Sequence, residues 1–537
     1  MSLGRGSLGR RSLGRSLASV GGFTLLSRLT GFVRDVVMGA ILGAGMLADA
    51  FTIAFRLPNH FRAIFGEGAF NAAYVPTYSR VLEQDGAEAA RRFSAQIFTL
   101  LLASQIVLLA LALIFTREIL LLLAPGLSDD PEKMAHALTM TRITFPYLLC
   151  VTLVTLLSGT MNAHGRFAAA AFAPVLLNLA IIACLAVWFM FPNAGVAAAT
   201  GVLFAGVLEL ALMIVAARRA GVFAWFAKPG WTGDVKQFFK AFAPAVIGSA
   251  GVQIALFADT IIGSLLPTGG LASIYYADRI YQLPIGVIGI AAGTVLLPEM
   301  SRRFSAGDTA GALEAQNRTM ALTIALSAPF FVAFLTISDM IMAGVFQRGA
   351  FDAEAAARSA AVLSAYGSGL FAVVLIRSAV ASFQARGDTT TPMMISLGAV
   401  AFNVALKIVL FQPLGAVGLA TATVVGAIIN FVLLCAFAMR RGDMKPSLLL
   451  KKTIIAATVA GAVLAIVAIF GRAPAFALGA MLTDNFAKET ALIAIAGIGG
   501  LVYFSVLVAM LLALGVRPGL LRRIPRAPVK PGDSAAP

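Results

Sequence analysis

Along most of the chain, apolar residues run on without the polar face that a helix on a soluble domain would show, in stretches of 18 or more broken by Gly, Pro, Asn and clusters of charge. Runs of that length cross a bilayer as helices, because about 20 residues rising about 1.5 Å each cover a hydrocarbon core ~30 Å thick. The breaks predict helices at 17–44, 47–66, 93–117, 139–164, 167–192, 195–220, 237–266, 273–301, 317–346, 356–385, 391–412, 415–439, 453–471 and 489–514. The interruption at 66–78 reads as a short amphipathic connector. The fold class is therefore all-α: a polytopic membrane protein with 14 transmembrane helices.

Composition sharpens this picture in one respect. The chain is 59% hydrophobic and 12% charged, with a mean hydropathy of +0.90, yet its net charge is +16. In a soluble protein that excess would suggest nucleic acid. Here its placement excludes that partner. If the N-terminus lies inside, the N-terminal segment, the even-numbered links and the C-terminal tail hold 27 of the 41 Lys and Arg, against 7 in the odd-numbered links. Positive charge is retained on the cytoplasmic side, so the bias supports the helix count and predicts that both termini are cytoplasmic. Several outer links are bare turns, "NAG", "PTGG" and "QPLG" among them. The repeat "SLGRGSLGRRSLGRS" reads as a disordered basic cytoplasmic extension over 1–16, and 516–537 as a Pro-rich basic cytoplasmic tail. Such a tail lies on the anionic inner leaflet, which makes membrane phospholipids a partner. Cys150, Cys184 and Cys435 sit in apolar runs at unrelated spacings, giving neither a disulfide framework nor a metal site.

The remaining basic residues lie inside helices: Arg28, Arg34, Arg56, Arg62, Arg279, Arg377 and Lys407. A charge facing lipid costs at least ~2.5–3.5 kcal/mol, so the arginines crowded on the first two helices must face a water-filled interior. Arg28 and Asp35 are seven apart and share a helix face; Asp49 and Arg56 repeat that spacing on the next helix, with Thr52 between them, and Pro58 loosens the backbone before Arg62. Pairs that only fix packing could absorb Arg34 with Asp35 and Arg56 with Asp49. That leaves Arg28, Arg62 and Arg279 with Glu67 and Asp278 as the obvious partners. A cavity with surplus guanidinium selects anions, since each planar fork matches phosphate oxygens two at a time. Export of cationic drugs would call for acidic and aromatic lining instead. The block "LADAFTIAFRLPNHFRAIFGEGAFNAAYVPTYSR" also has a partial echo six helices later in "YYADRIYQLPIGVIGIAAGTVLLPEMSR". Such repeats place a binding site between the two halves of a transporter.

These blocks, together with "SRLTGFVRDVVMGAILGAGM" ahead of the first, resemble the MurJ (MviN) family of lipid II flippases, within the multidrug/oligosaccharidyl-lipid/polysaccharide exporter superfamily. The resemblance runs from Ser16 to Leu514. It implies two six-helix lobes, 17–220 and 221–440, around a central cationic cavity, and two further helices over 441–515 that form a groove for a lipid tail. The family's essential arginines fall at Arg28, Arg34, Arg62 and Arg279. Its acidic positions fall at Asp35, Asp49, Glu67 and Asp278, the last two at gates. With Arg56 added from the helix pattern, Arg28, Arg34, Arg56, Arg62, Arg279, Asp35 and Asp49 are the candidate substrate-binding residues. The implied activity is movement of lipid II, the undecaprenyl-diphosphate-linked peptidoglycan precursor, from the inner to the outer leaflet of the bacterial cytoplasmic membrane by alternating access. Lipid II and cell-wall synthesis proteins are the implied partners, and cell-wall biogenesis and cell shape the implied process.

Some members of that family resemble sodium-coupled transporters. The positions corresponding to their ion site are Asp259, Asn403, Lys407 and Thr423, and Lys407 stands where an acidic ligand is expected. An ammonium there could occupy the cation's place and pair with Asp259. No cofactor or metal is expected, and the driving force is a coupling ion or the membrane potential. No catalytic residues are expected either: His60, His136 and His164 are scattered, and no nucleotide-binding loop is present. Two alternatives share the fold. One is a flippase for another anionic polyprenyl-linked glycan, such as an O-antigen unit. The other is a drug exporter, which the extra pair of helices argues against.

Overall fold

A computed structural model describes residues 5–62, 69–482 and 486–516 of the 537. The chain divides into two compact units, 1–272 with 348–352 and 273–347 with 353–537.

The first unit holds α1 (Arg5–Leu42), α2 (Met46–Arg62), α3 (Ala69–Gln84), α4 (Gly86–Ile114), α5 (Thr116–Leu123), α6 (Pro131–Ala163), α7 (Ala168–Ala186), α8 (Ala194–Arg219) and α9 (Gly233–Ser264). Helix starts are set by side-chain caps: Asp130, Asn193 and Thr232 accept the backbone N–H of Lys133, Val196 and Val235. Phe70, Tyr74 and Phe93 pack against Phe238 in a core shared by α3, α4 and α9. The buried Tyr74 hydroxyl is satisfied by Ser94 at 2.9 Å and Thr160 at 2.7 Å. Helices α6 and α8 approach closely because Gly206 has no side chain. A Cβ there would lie 2.8 Å from the Tyr147 ring.

The second unit holds α10 (Gly270–Pro284, whose first turn belongs to the first unit), a π-helical turn over Ile285–Gly289, α11 (Ile290–Ser305), α12 (Thr309–Thr336), α13 (Ser338–Phe346), α14 (Ala353–Gly367), α15 (Leu370–Gln384), α16 (Thr390–Arg440), α17 (Leu448–Phe470), α18 (Arg472–Leu482) and α19 (Ala487–Ala513). Tyr503 of α19 donates to the Ala325 carbonyl of α12 at 2.8 Å. The 51 residues of α16 would span ~77 Å if straight, more than twice the hydrocarbon core. Gly415, at φ 54° and ψ −133°, breaks it into two crossings.

Among the described residues, ten helical segments are long and apolar enough to cross a membrane, and Thr390–Arg440 is one of them. Its two halves, with α1, α2 and α9, complete the fourteen crossings read from the sequence. Two boundaries differ from that reading. Helix α1 begins at Arg5, inside the segment expected to be disordered. Helix α9, counted by the sequence with the second lobe, belongs to the first unit, to which Arg80–Asp234 (2.5 Å) and His60–Thr260 (3.0 Å) tie it.

Candidate substrate site

The charged positions of α1 and α2 resolve into distinct environments. Arg34 and Asp35 are both buried, and the guanidinium grips its sequence neighbour through Nε (3.0 Å) and Nη2 (2.7 Å). Its Nη1 donates to Asn178 Oδ1 of α7 at 3.0 Å. Asn178 in turn donates to the Ser27 carbonyl and the Thr30 hydroxyl, which fixes its amide orientation and locks α1 to α7. Arg28 is exposed on α1, between Ser27 and Thr30 in sequence and nearly two turns before Arg34. The Arg34–Asp35 pair is the one the sequence suggested. Asn178 had no signal of its own, being one amide in the apolar run of α7.

Asp49 departs from expectation. Its spacing from Arg56 suggested a pair along α2, but the carboxylate is wholly buried and satisfied from elsewhere. Lys133 Nζ of α6 lies 2.9 Å from Oδ2, the Gly269 N–H donates to Oδ2 at 2.8 Å, and the Ala272 N–H donates to Oδ1 at 2.8 Å. Those two N–H groups belong to the open start of α10, which carries partial positive charge, so the carboxylate serves as its cap. Asp49 is thus a joint between α2, α6 and the turn into α10. Sequence counting had placed Lys133 in an outer link.

Arg56 is half-buried on α2, and Arg62 is the last described residue of that helix, its Nε donating to Asn59 Oδ1 at 3.3 Å. His60, between them, packs its ring 4.9 Å from Phe257 and bonds Thr260. Glu209 of α8, the helix that packs against α2, is 3% exposed. In the sequence it is a lone acid inside the apolar run "VLELALM". Glu67 lies outside the described residues. Asp259 is half-buried on α9.

In the second unit, Arg279 lies with its guanidinium carbon 4.7 Å from the centre of the Tyr275 ring, and Gln282 donates to Asp278. Of the ion-site positions, Asn403 and Lys407 stand one turn apart on the first half of α16 and Thr423 on the second. The halves cross there: a Cβ on Gly426 would lie 2.8 Å from that of Asn403. The Asn403 carbonyl oxygen is buried without a hydrogen-bond partner among the described residues. Thr423 donates to the Leu419 carbonyl of its own helix, and Lys407 is 3% exposed. A buried ammonium in this donor set does not suit a bound cation. The second unit also contains a cavity of about 530 Å³, walled by Ile324 and Phe331 of α12, Phe371 and Leu375 of α15, and Ile454 and Gly461 of α17. Its lining is almost wholly apolar.

Residues 38–487 match the sequence model of a family described as "Lipid II flippase MurJ". A "Probable lipid II flippase MurJ" of Rhizobium meliloti is 42% identical over 84% of this chain and 86% of its own length. The chain belongs to the MurJ family. A "Lipid II flippase MurJ" of Burkholderia cenocepacia is 33% identical over 81% of this chain and 86% of its own. Among solved structures, "Lipid II flippase MurJ, inward closed conformation" superposes with a TM-score of 0.76 at 23% identity, covering 92% of this chain and 99% of that one. An inward-facing multidrug resistance transporter of the MATE family reaches 0.64 at 12% identity, over 79% and 97%. At such identities the likeness concerns the fold, and it is the all-helical fold described above. As a MurJ-family protein, the chain is a multi-pass transporter of the bacterial inner membrane.

Proposed function

We propose that the chain moves lipid II from the inner to the outer leaflet by alternating access, with both termini in the cytoplasm. The observation that carries this reading is the excess of positive charge at membrane depth. Helices α1 and α2 bring Arg28, Arg34, Arg56 and Arg62 against Asp35 and Asp49, and Asp49 is already answered by Lys133. Guanidinium forks in low dielectric favour a diphosphate, and the named relatives are lipid II flippases. The apolar cavity of α12, α15 and α17 offers the polyprenyl tail a lining of matching polarity. Lys407 supplies a fixed positive charge in place of a coupling cation, and the membrane potential drives the cycle.

The test is growth of cells depleted of their own lipid II flippase. Arg28→Ala, Arg34→Ala, Arg62→Ala and Arg279→Ala are expected to insert normally but fail to sustain growth. The Lys replacements should recover only part of the activity, because an ammonium lacks the two-pronged geometry. Wild-type growth of all four Ala variants would overturn the substrate assignment.

A further inference from the structure

Away from the charged helices, the first unit contains a cavity of about 400 Å³ whose walls include Gln105, Leu108 and Leu111 of α4, Ile119 of α5, and Phe145 and Leu149 of α6. Leu108 and Leu111 are exposed, so its mouth opens on a face that a bilayer would cover. All the lining side chains but one are hydrocarbon. The exception is Gln105, 4% exposed, whose amide makes no hydrogen bond among the described residues. Buried amides are ordinarily paired, because an unpaired one forfeits its hydration without return. The Gln105 oxygen accepts and its NH2 donates, and the walls of the cavity answer neither.

Gln105 stands thirteen residues after Arg92 and twelve before Arg117. About 18–20 Å of helix therefore separates it from charge on either side, which puts the amide near mid-membrane. A phospholipid keeps its phosphate with the head groups, about 15 Å from the mid-plane, and offers this depth only acyl chains without a hydrogen-bonding group. A charged ligand is excluded by the cost of carrying its charge so deep. Water needs two or more polar partners, and one side chain supplies polar atoms here. A hydroxyl both donates and accepts, so it matches both halves of the amide, whereas a carbonyl would answer the NH2 alone. We propose that this cavity binds an uncharged, membrane-dissolved lipid alcohol, with its hydroxyl on Gln105 and its chain against Leu108, Phe145 and Leu149. The site is separate from the arginines of α1 and α2, and the proposal does not depend on the substrate reading above.

The test uses the purified full-length protein in phosphatidylcholine nanodiscs and tetradecanol carrying a diazirine in its chain. Photolysis should label peptides that contain residues 105–119 or 145–149. Unlabelled tetradecanol should displace the probe. Tetradecane, at equal mole fraction in the bilayer, should compete about three- to tenfold less well, the worth of one net hydrogen bond. Gln105→Met, apolar and of similar length, should abolish that preference and, without ligand, melt no lower than the wild type. Ala112→Trp, which fills the cavity from its wall, should remove the labelling, with thermal unfolding to verify the fold; if that variant does not fold, Gln105→Met decides alone. Labelling confined to other helices, or labelling that a folded Ala112→Trp variant leaves intact, overturns the site. Equal competition by tetradecane, or a preference that survives in Gln105→Met, overturns the role of the hydroxyl. A lower melting point for ligand-free Gln105→Met would show that the fold already uses the amide, and this too overturns the proposal.

Discussion

Single side chains in this protein separate into those that hold helices together and those that hold positive charge ready. Asp49 is of the first kind. Three donors converge on it, and none of its surface is exposed. Asp49→Asn or Lys133→Met alone should lower stability by about 3–5 kcal/mol, since each strands a buried partner, whereas the double variant should lose much less than the sum. Thermal unfolding in detergent of the two single variants and the double one measures this; strictly additive losses would mean that the two charges are not coupled. The sequence showed Asp49 to be anomalous but misnamed its partner, because periodicity relates residues on one helix and Lys133 comes from another. Arg34 and Asp35 were legible as a pair because they are adjacent. Asn178 and Glu209 each stand alone in an apolar run, without a charged neighbour at helical spacing to mark them.

At the level of helices, nearly everything was legible, because in a bilayer every backbone polar group must be satisfied within its own segment and apolar length alone marks the crossings. What apolar length does not encode is which helices cluster, hence the reassignment of α9 to the first unit. Helix α16 shows how local chemistry marks its own turning point. Gly415 adopts a backbone conformation that a side chain tolerates poorly, while Gly398, earlier in the same helix, has open space where a Cβ would go. Gly415→Ala should therefore cost about 1–3 kcal/mol. Gly398→Ala should be neutral or stabilise by up to about 1 kcal/mol, as expected for a helix interior. Paired melting curves distinguish them, and equal effects would show that the break at Gly415 imposes no special backbone demand.

For the molecule as a whole, the charge distribution has an energetic direction. With the cell interior negative, outward movement of each net negative charge is favoured by about 2.3 kcal/mol per 100 mV. Arginines that stay near mid-membrane while the protein alternates do not travel with the substrate and so do not cancel that gain. Collapsing the potential with an ionophore in proteoliposomes, at constant pH and sodium, should slow flipping sharply. Undiminished flipping would return attention to an ion gradient.

The two ends of α16 also bear on how the protein is made. Asp388, just before the helix, accepts the Thr391 N–H at 2.9 Å and bonds Arg441, just after it, at 2.7 Å. The Thr391 bonds and the Arg441 guanidinium hold its carboxyl at about 2. Because that value lies below the group's ordinary one, the clasp's contribution is present above the ordinary range and is lost only as pH falls through about 2, so the clasp stays shut at physiological pH. Between its ends the chain carries one charged side chain, the buried Lys407, and its far tip is the uncharged "QPLG" around the Gly415 break. With the orientation proposed above, both ends lie on the side of synthesis, and a ribosome-bound chain can deliver this stretch to the membrane as a closed loop with no hydrophilic segment to haul across.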